Sequence, residues 1–422
     1  MRARREGKRS PPGGRRWQGV LLAGATVAMM ASLPVRALAE LPSQLTVPVG
    51  QEVSVAWSRL LPLTVTAAPG LSWTAGSSAA MVRASRTGTS WLGLRLFGWI
   101  PVGHVGVRAV PAVDVVPGGQ SIGIVVRTRG VIVTGYAPVP GTRGWLDPAE
   151  AAGIEPGDVL LAVDGRAVTG DAALVAAVQR AGRARRPLYV TDRGARRTFV
   201  RLVWPAYNPA AHQYQLGVVV RASASGVGTL TFWNPRTLAY RALGHSISDG
   251  LTPSPVGVAT GRVSPALVVG VVASTPDHPG QKIGVLAGGH TVTGNVTANG
   301  LFGLAGRLAA PPAVGSRRAI PVAMADEVHP GPAQMITVVS GARPEAFDIR
   351  ILATYPQAHP ATKGILFQVT DPRLLAKTGG IVQGMSGSPI LQGGRLVGAV
   401  THVFINRPDA GYGCYAQWML GR

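Results

Sequence analysis

The sequence predicts a mainly β protein assembled from several modules. Of its 422 residues, 56 are Gly and 34 are Pro, a density that suits many short strands joined by turns and not a helical bundle. Apolar residues make up 46% and charged residues 14%, which places the chain among globular rather than disordered proteins. Short apolar runs broken by Gly and Pro recur along most of its length, and helical periodicity is confined to a few places.

Residues 1–39 read as an export segment. Arg2, Arg4, Arg5, Lys8, Arg9, Arg15 and Arg16 precede an apolar stretch from Trp17 to Val35, and Ala37-Leu38-Ala39 then offers small residues at cleavage-site spacing. The stretch is also nearly long enough to stay in a bilayer as an uncleaved anchor. Both readings place the remainder outside the cytoplasm, secreted or membrane-associated. The formal net charge of +22, carried mostly by Arg, makes an anionic membrane surface a candidate partner, and no nucleic-acid motif is present. Cys414 is the only cysteine, so an intrachain disulfide is excluded, and its neighbours Gly413 and Tyr415 give no sign of an activated thiol. No cofactor and no metal site is expected.

Residues 40–105 form a small β-rich region without recognisable chemistry, in runs such as Leu45-Thr46-Val47 and Val53-Ser54-Val55. In residues 106–206, Val125-Val126 and Val131-Ile132-Val133 flank Thr128-Arg129-Gly130, which reads as a hairpin. Asp147-Pro148 opens a short helix stopped by Gly153, and Asp171 caps a second helix with Leu174, Val175 and Val178 on one face. Between them stands Gly153-Ile154-Glu155-Pro156-Gly157-Asp158-Val159-Leu160-Leu161-Ala162-Val163-Asp164-Gly165. This order resembles a PDZ domain. The resemblance implies that a peptide adds as a strand beside the second helix, its carboxylate received by Gln120, Ser121, Ile122 and Gly123. Residues 207–422 are Gly-punctuated short strands, best read as one β-barrel or a pair of them.

The chemistry lies in that last region. Gly384-Met385-Ser386-Gly387-Ser388-Pro389 sets a serine between glycines that permit positive φ. By analogy with chymotrypsin-like sites, the N–H groups of Gly384 and Ser386 would form an oxyanion hole for acyl transfer by Ser386. A serine needs a base to take its proton, and Gly244-His245-Ser246 supplies the best candidate, His245. His402, in the apolar strand after the serine, reads as a core or wall residue.

The blocks Ala242-Leu243-Gly244-His245-Ser246-Ile247-Ser248-Asp249, Gly379 through Ile390 and Gly398 through Asn406 resemble the SpoIVB peptidase family of endospore-forming bacteria. So does Pro117-Gly118-Gly119-Gln120-Ser121-Ile122-Gly123-Ile124, with the PDZ module behind it. The resemblance implies a PDZ domain followed by a chymotrypsin-like β-barrel serine peptidase, with catalytic His245, Asp371 and Ser386. From the residues alone, Asp249 competes with Asp371 as the acid that orients His245. The resemblance further implies a sporulation protease in the forespore intermembrane space. Such an enzyme cleaves itself, its PDZ engaging its own N-terminal segment, and then cuts the extracytoplasmic part of a membrane-bound regulator to trigger sigma-factor processing. The competing functions are a catalytically silent PDZ scaffold and a quality-control protease of the HtrA kind, in which the PDZ normally follows the protease domain.

Overall fold

The computed structural model describes residues 43–56, 63–76, 79–142, 144–194, 197–248, 255–286, 293–314, 317–357 and 359–420. The export segment, residues 1–39, and Asp249 lie outside these. The chain divides into two compact units between Ala112 and Val113.

Among the described residues the first unit is all β, as the sequence predicts for residues 40–105. A four-stranded sheet in the order Gln44–Pro48, Ile100–Val110, Gly88–Leu96, Leu63–Ala67 shares one core with a three-stranded sheet of Glu52–Ala56, Ala79–Ala84 and Leu71–Ala75. Alternation of apolar and polar residues aims Val82, Leu92, Leu94 and Val107 inward.

The second unit is organised by two long antiparallel strands, Ser121–Tyr136 and Val218–Trp233, paired almost throughout. The hairpin expected at Thr128-Arg129-Gly130 is not formed, because both flanks of that tripeptide pair with the same partner strand. Gly130 lies in a bulge of the first strand, whose five steps from Arg127 to Ile132 face only the two from Ser223 to Arg221. It sits at φ +92°, where a Cβ would stand 2.4 Å from the Leu160 carbonyl oxygen.

One end of this strand pair belongs to the PDZ module. There the sheet runs Thr198–Val203, Leu188–Arg193, Val159–Val163, then the Val131–Tyr136 half of the first long strand, then the start of the second. The helix Asp171–Arg183 lays Leu174, Ala177, Val178 and Ala181 on it, in a core with Val131, Val133, Ile154, Leu160 and Leu216. Gly170 is the N-cap of this helix, so Asp171 acts on the dipole of the first turn and does not cap it.

The other end belongs to the peptidase region. Ser121–Thr128 pairs with Ser223–Thr229 on one side and with Val258–Pro265 on the other. Leu230, Phe232 and Trp233 pair with Ala239–Leu243, which continues to Gly303–Arg307. The sequence-based boundary at 105/106 falls inside the strand Ile100–Val110 of the first unit, and that at 206/207 inside the short strand Ala206–Asn208. Residues 121–128 pair within the peptidase sheet, and Leu216, Val218 and Val220 pack on the PDZ core. A closed six-stranded barrel follows, in the order Gly331–Thr337, Glu345–Thr354, Ile365–Val369, Ala410–Tyr415, Arg395–Val403, Pro389–Gln392. Its interior is filled by Met335, Phe347, Ile349, Ile351, Phe367, Ile390 and Val400.

Candidate active site

Ser386 lies in a turn between the helix Pro372–Thr378 and the barrel strand Pro389–Gln392. The turn is pinned from both sides. Met385 N–H donates to the Val382 carbonyl at 3.1 Å, Ser388 N–H to the Met385 carbonyl at 2.9 Å and Gly387 N–H to the Val400 carbonyl at 2.8 Å. The Ser386 carbonyl accepts from Thr229 N–H at 3.1 Å, and the Gly384 carbonyl accepts from the Thr229 hydroxyl at 2.7 Å. The N–H groups of Gly384 and Ser386 have no acceptor among the described residues. With Gly384 at φ +92°, they are the two main-chain donors left free on a turn whose other N–H groups, of Met385, Gly387 and Ser388, are bonded. Donors held in place without an acceptor are what a developing oxyanion requires.

His245 follows the strand Ala239–Leu243. Its Nδ1 stands 2.9 Å from the Ser246 carbonyl oxygen. A carbonyl can only accept, so Nδ1 carries the proton in the neutral ring and Nε2 is left as the basic nitrogen, the tautomer a serine base needs. Asn299 anchors the same loop, a role that sequence reading missed. Its side chain accepts from Ile247 N–H at 2.9 Å and donates to the Ile247 carbonyl at 2.7 Å and the Val256 carbonyl at 3.0 Å.

The serine-bearing and histidine-bearing turns meet backbone to backbone at Gly387. A Cβ there would lie 2.4 Å from Leu243 N and 2.5 Å from the Thr229 oxygen, and φ is +89°. Gly387→Ala combines a left-handed backbone with overpacking against main chain that cannot yield. Together these are expected to cost about 3 kcal/mol or more of stability, read as a lower urea midpoint.

His402 is not a core residue. It is solvent-exposed, and its ring centroid stands 5.9 Å from that of His245, tilted by 39°. Burial of part of the ring, then the neighbouring His245 and Lys363, hold it below the usual histidine range.

Asp371 is brought to a different set of partners. One carboxylate oxygen accepts from Arg373 N–H at 2.9 Å and Nε at 3.1 Å; the other accepts from Asp348 N–H at 3.2 Å and Arg373 Nη2 at 2.8 Å. The Arg373 guanidinium holds this carboxyl at about 2 despite its burial. No hydrogen bond joins Asp371 to His245 among the described residues; Asp371 caps the helix Pro372–Thr378.

Lys282 is a further group that sequence reading did not reach. Its backbone N–H donates to the Gln383 carbonyl at 2.9 Å, and its stem packs against Gly384. Its amine is fully enclosed, donates to the Thr337 hydroxyl at 2.8 Å, and is pushed down to about 7 by burial. Cys414 is enclosed too, its thiol pushed up to about 12 by burial, which fits an inert core residue.

The peptide-binding residues of the PDZ module also need correction. Gln120 and Ser121 are buried, Ile122 belongs to the core with Leu230, Tyr240 and Leu243, and the strand they open is hydrogen-bonded on both edges. No peptide strand can add there. The turn beside the helix Asp171–Arg183 is Gln215-Leu216-Gly217-Val218, where the second long strand begins. Its carbonyls are used, Leu216 by Ala149 N–H and Gly217 by Ala137 N–H, whereas the N–H groups of Leu216 and Gly217 have no acceptor among the described residues. The Leu-Gly pair was the available sequence signal; it lay beyond the boundary drawn at 206.

Residues 212–420 match the family model of SpoIVB peptidase S55, and residues 148–190 match that of a PDZ domain. No curated protein matches the chain.

Proposed function

Over residues 212–420 the chain belongs to the SpoIVB peptidase S55 family, and on that premise we propose that it is an exported regulatory serine endopeptidase that makes limited cuts. Ser386 is the nucleophile, His245 the base, and the N–H groups of Gly384 and Ser386 receive the oxyanion. The observation that carries this reading is the pair of unbonded amides on a rigid serine turn that touches the histidine turn. Attack by Ser386 Oγ on a peptide carbonyl passes its proton to His245 Nε2. The imidazolium then protonates the leaving amine, and water completes the cycle by the same path.

The substrates are peptide segments presented to the PDZ groove. We assign to the protein self-cleavage near its N-terminus and cleavage of the extracytoplasmic part of a membrane-bound regulator during sporulation, in the forespore intermembrane space; the family membership supports this assignment. Mass spectrometry of the purified chain's N-terminus tests it. The wild type is expected to show a shortened N-terminus that is absent in Ser386→Ala. Identical N-termini in both would overturn self-cleavage.

A further inference from the structure

We propose that the strand Val218–Trp233 is one continuous β-addition track joining the PDZ groove to the catalytic turn. A separate protein substrate, unlike the chain's own N-terminal segment, is then held by its free carboxyl terminus and cut at a set distance from it. This rests on the peptidase reading above.

The strand has the first long strand along one edge from Val218 to Thr229. Its other edge has no paired strand among the described residues until Thr229, whose N–H donates to the Ser386 carbonyl, and Leu230, which faces Ala242. In an antiparallel ladder successive N–H groups alternate sides, so Val227, Ser225 and Ser223 present theirs to the same open edge as Thr229. An open edge of this kind is a template for another chain. The side chains along it are small or short where the track runs, at Ala222, Ser223, Ala224, Ser225 and Gly226, and Ser223, Ser225 and Gly226 are exposed.

The occupant follows from the start of the strand. The unbonded N–H groups of Leu216 and Gly217 lie beside the helix Asp171–Arg183 and offer donors for an anion, and Arg221 is exposed just beyond. A terminal carboxylate is the anion that an extended peptide can bring there. Polarity then decides the rest. A peptide whose last residue sits at Gly217 and which adds to this strand must run antiparallel, so its preceding residues advance towards Thr229 and hence towards Ser386. The fragment on the carboxyl side of the cut stays on the track. From Val218 to Gly228 is about 33 Å at ~3.3 Å per residue, which places the scissile bond about ten to thirteen residues before the carboxyl terminus.

The test uses the full-length protein in two portions, one labelled with a fluorophosphonate to show that its serine is active and one left unlabelled. Internally randomised peptides of about 25 residues, longer than the track, are digested by the unlabelled portion and their fragments sized by mass spectrometry. One set ends in a free carboxylate, one in an amide, and one carries a few extra residues at the carboxyl end. Cuts are expected at a constant distance from the free carboxyl end, moving with that end when residues are added. Amidation is expected to lower kcat/KM by about 10–100-fold, the loss of one or two charge-assisted hydrogen bonds. Cuts that follow internal sequence, equal cleavage of acid and amide, or labelling without cleavage of any peptide would each overturn the track. Absence of labelling would overturn the peptidase reading itself and the track with it.

Discussion

Ser386→Ala is expected to lower kcat by about 10⁴- to 10⁶-fold, with KM little changed, when hydrolysis of a peptide substrate is followed at steady state. The alanine removes only the oxygen that attacks. The turn that carries it is held by main-chain bonds from Met385, Gly387, Ser388 and Thr229, none of which uses the serine side chain. The two free amides therefore remain in place, and substrate binding should survive. A loss below about tenfold would mean that another group does the chemistry. Asp371→Asn and Asp249→Asn, measured alongside, assign the orienting acid. Asn at 371 can still accept from Arg373 N–H through its one oxygen, so the helix cap persists, while the bonds from Asp348 N–H and Arg373 Nη2 are lost with the charge. A kcat loss of about 10⁴-fold marks the residue that stands behind His245; a loss confined to Asp249→Asn would remove Asp371 from the mechanism.

Lys282→Met is expected to raise stability by on the order of 3 kcal/mol at about pH 6, and far less at about pH 10. The amine has an ordinary value of 10.5 and is pushed down to about 7 in the folded protein by burial. Between those values the unfolded chain binds a proton that the folded chain does not, so stability rises with pH across that window. Below it both states are protonated, and the folded state carries the whole penalty, on the order of 4 kcal/mol. Met keeps the unbranched stem against Gly384 and removes the charge. It leaves the Thr337 hydroxyl without its donor, a loss of about 1 kcal/mol. Urea titrations of wild type and variant across this pH range measure the difference; a parallel offset at every pH would show that the amine is not the cause.

Much of the fold and of the site was legible because the signals are local. The Gly384–Pro389 turn, the Gly244-His245 turn, the Pro-Gly-Asp entry to Val159–Val163 and the helix Asp171–Arg183 are each specified within about a dozen residues by turn chemistry and apolar spacing. What was misread depends on strands that meet across the chain. Thr128-Arg129-Gly130 has hairpin composition, and only the pairing of its flanks with residues nearly a hundred positions later shows that the backbone bulges without turning back. Gln120–Gly123 looks like a carboxylate-binding loop until a second strand is found along its other edge. Nothing local marks Lys282 as enclosed, because the groups that bury it, Thr337 and Gly384, come from other parts of the sequence. Asp371 shows the converse: its neighbour Arg373, two residues away, is the partner that claims it.

The pair of long strands also fixes how this molecule comes into being. The PDZ core needs the Val131–Tyr136 half of one strand and the start of the other; the peptidase sheet needs the remaining halves of the same two. Neither core can close before segments nearly a hundred residues apart have found each other, a pairing of high sequence separation and correspondingly slow nucleation. A chain begun at residue 207 would lack Ser121–Thr128, the neighbour of both Val258–Pro265 and Ser223–Thr229. Catalytic competence is therefore expected late in folding, reached only when the recognition module is complete, and the peptidase stays harmless until that moment.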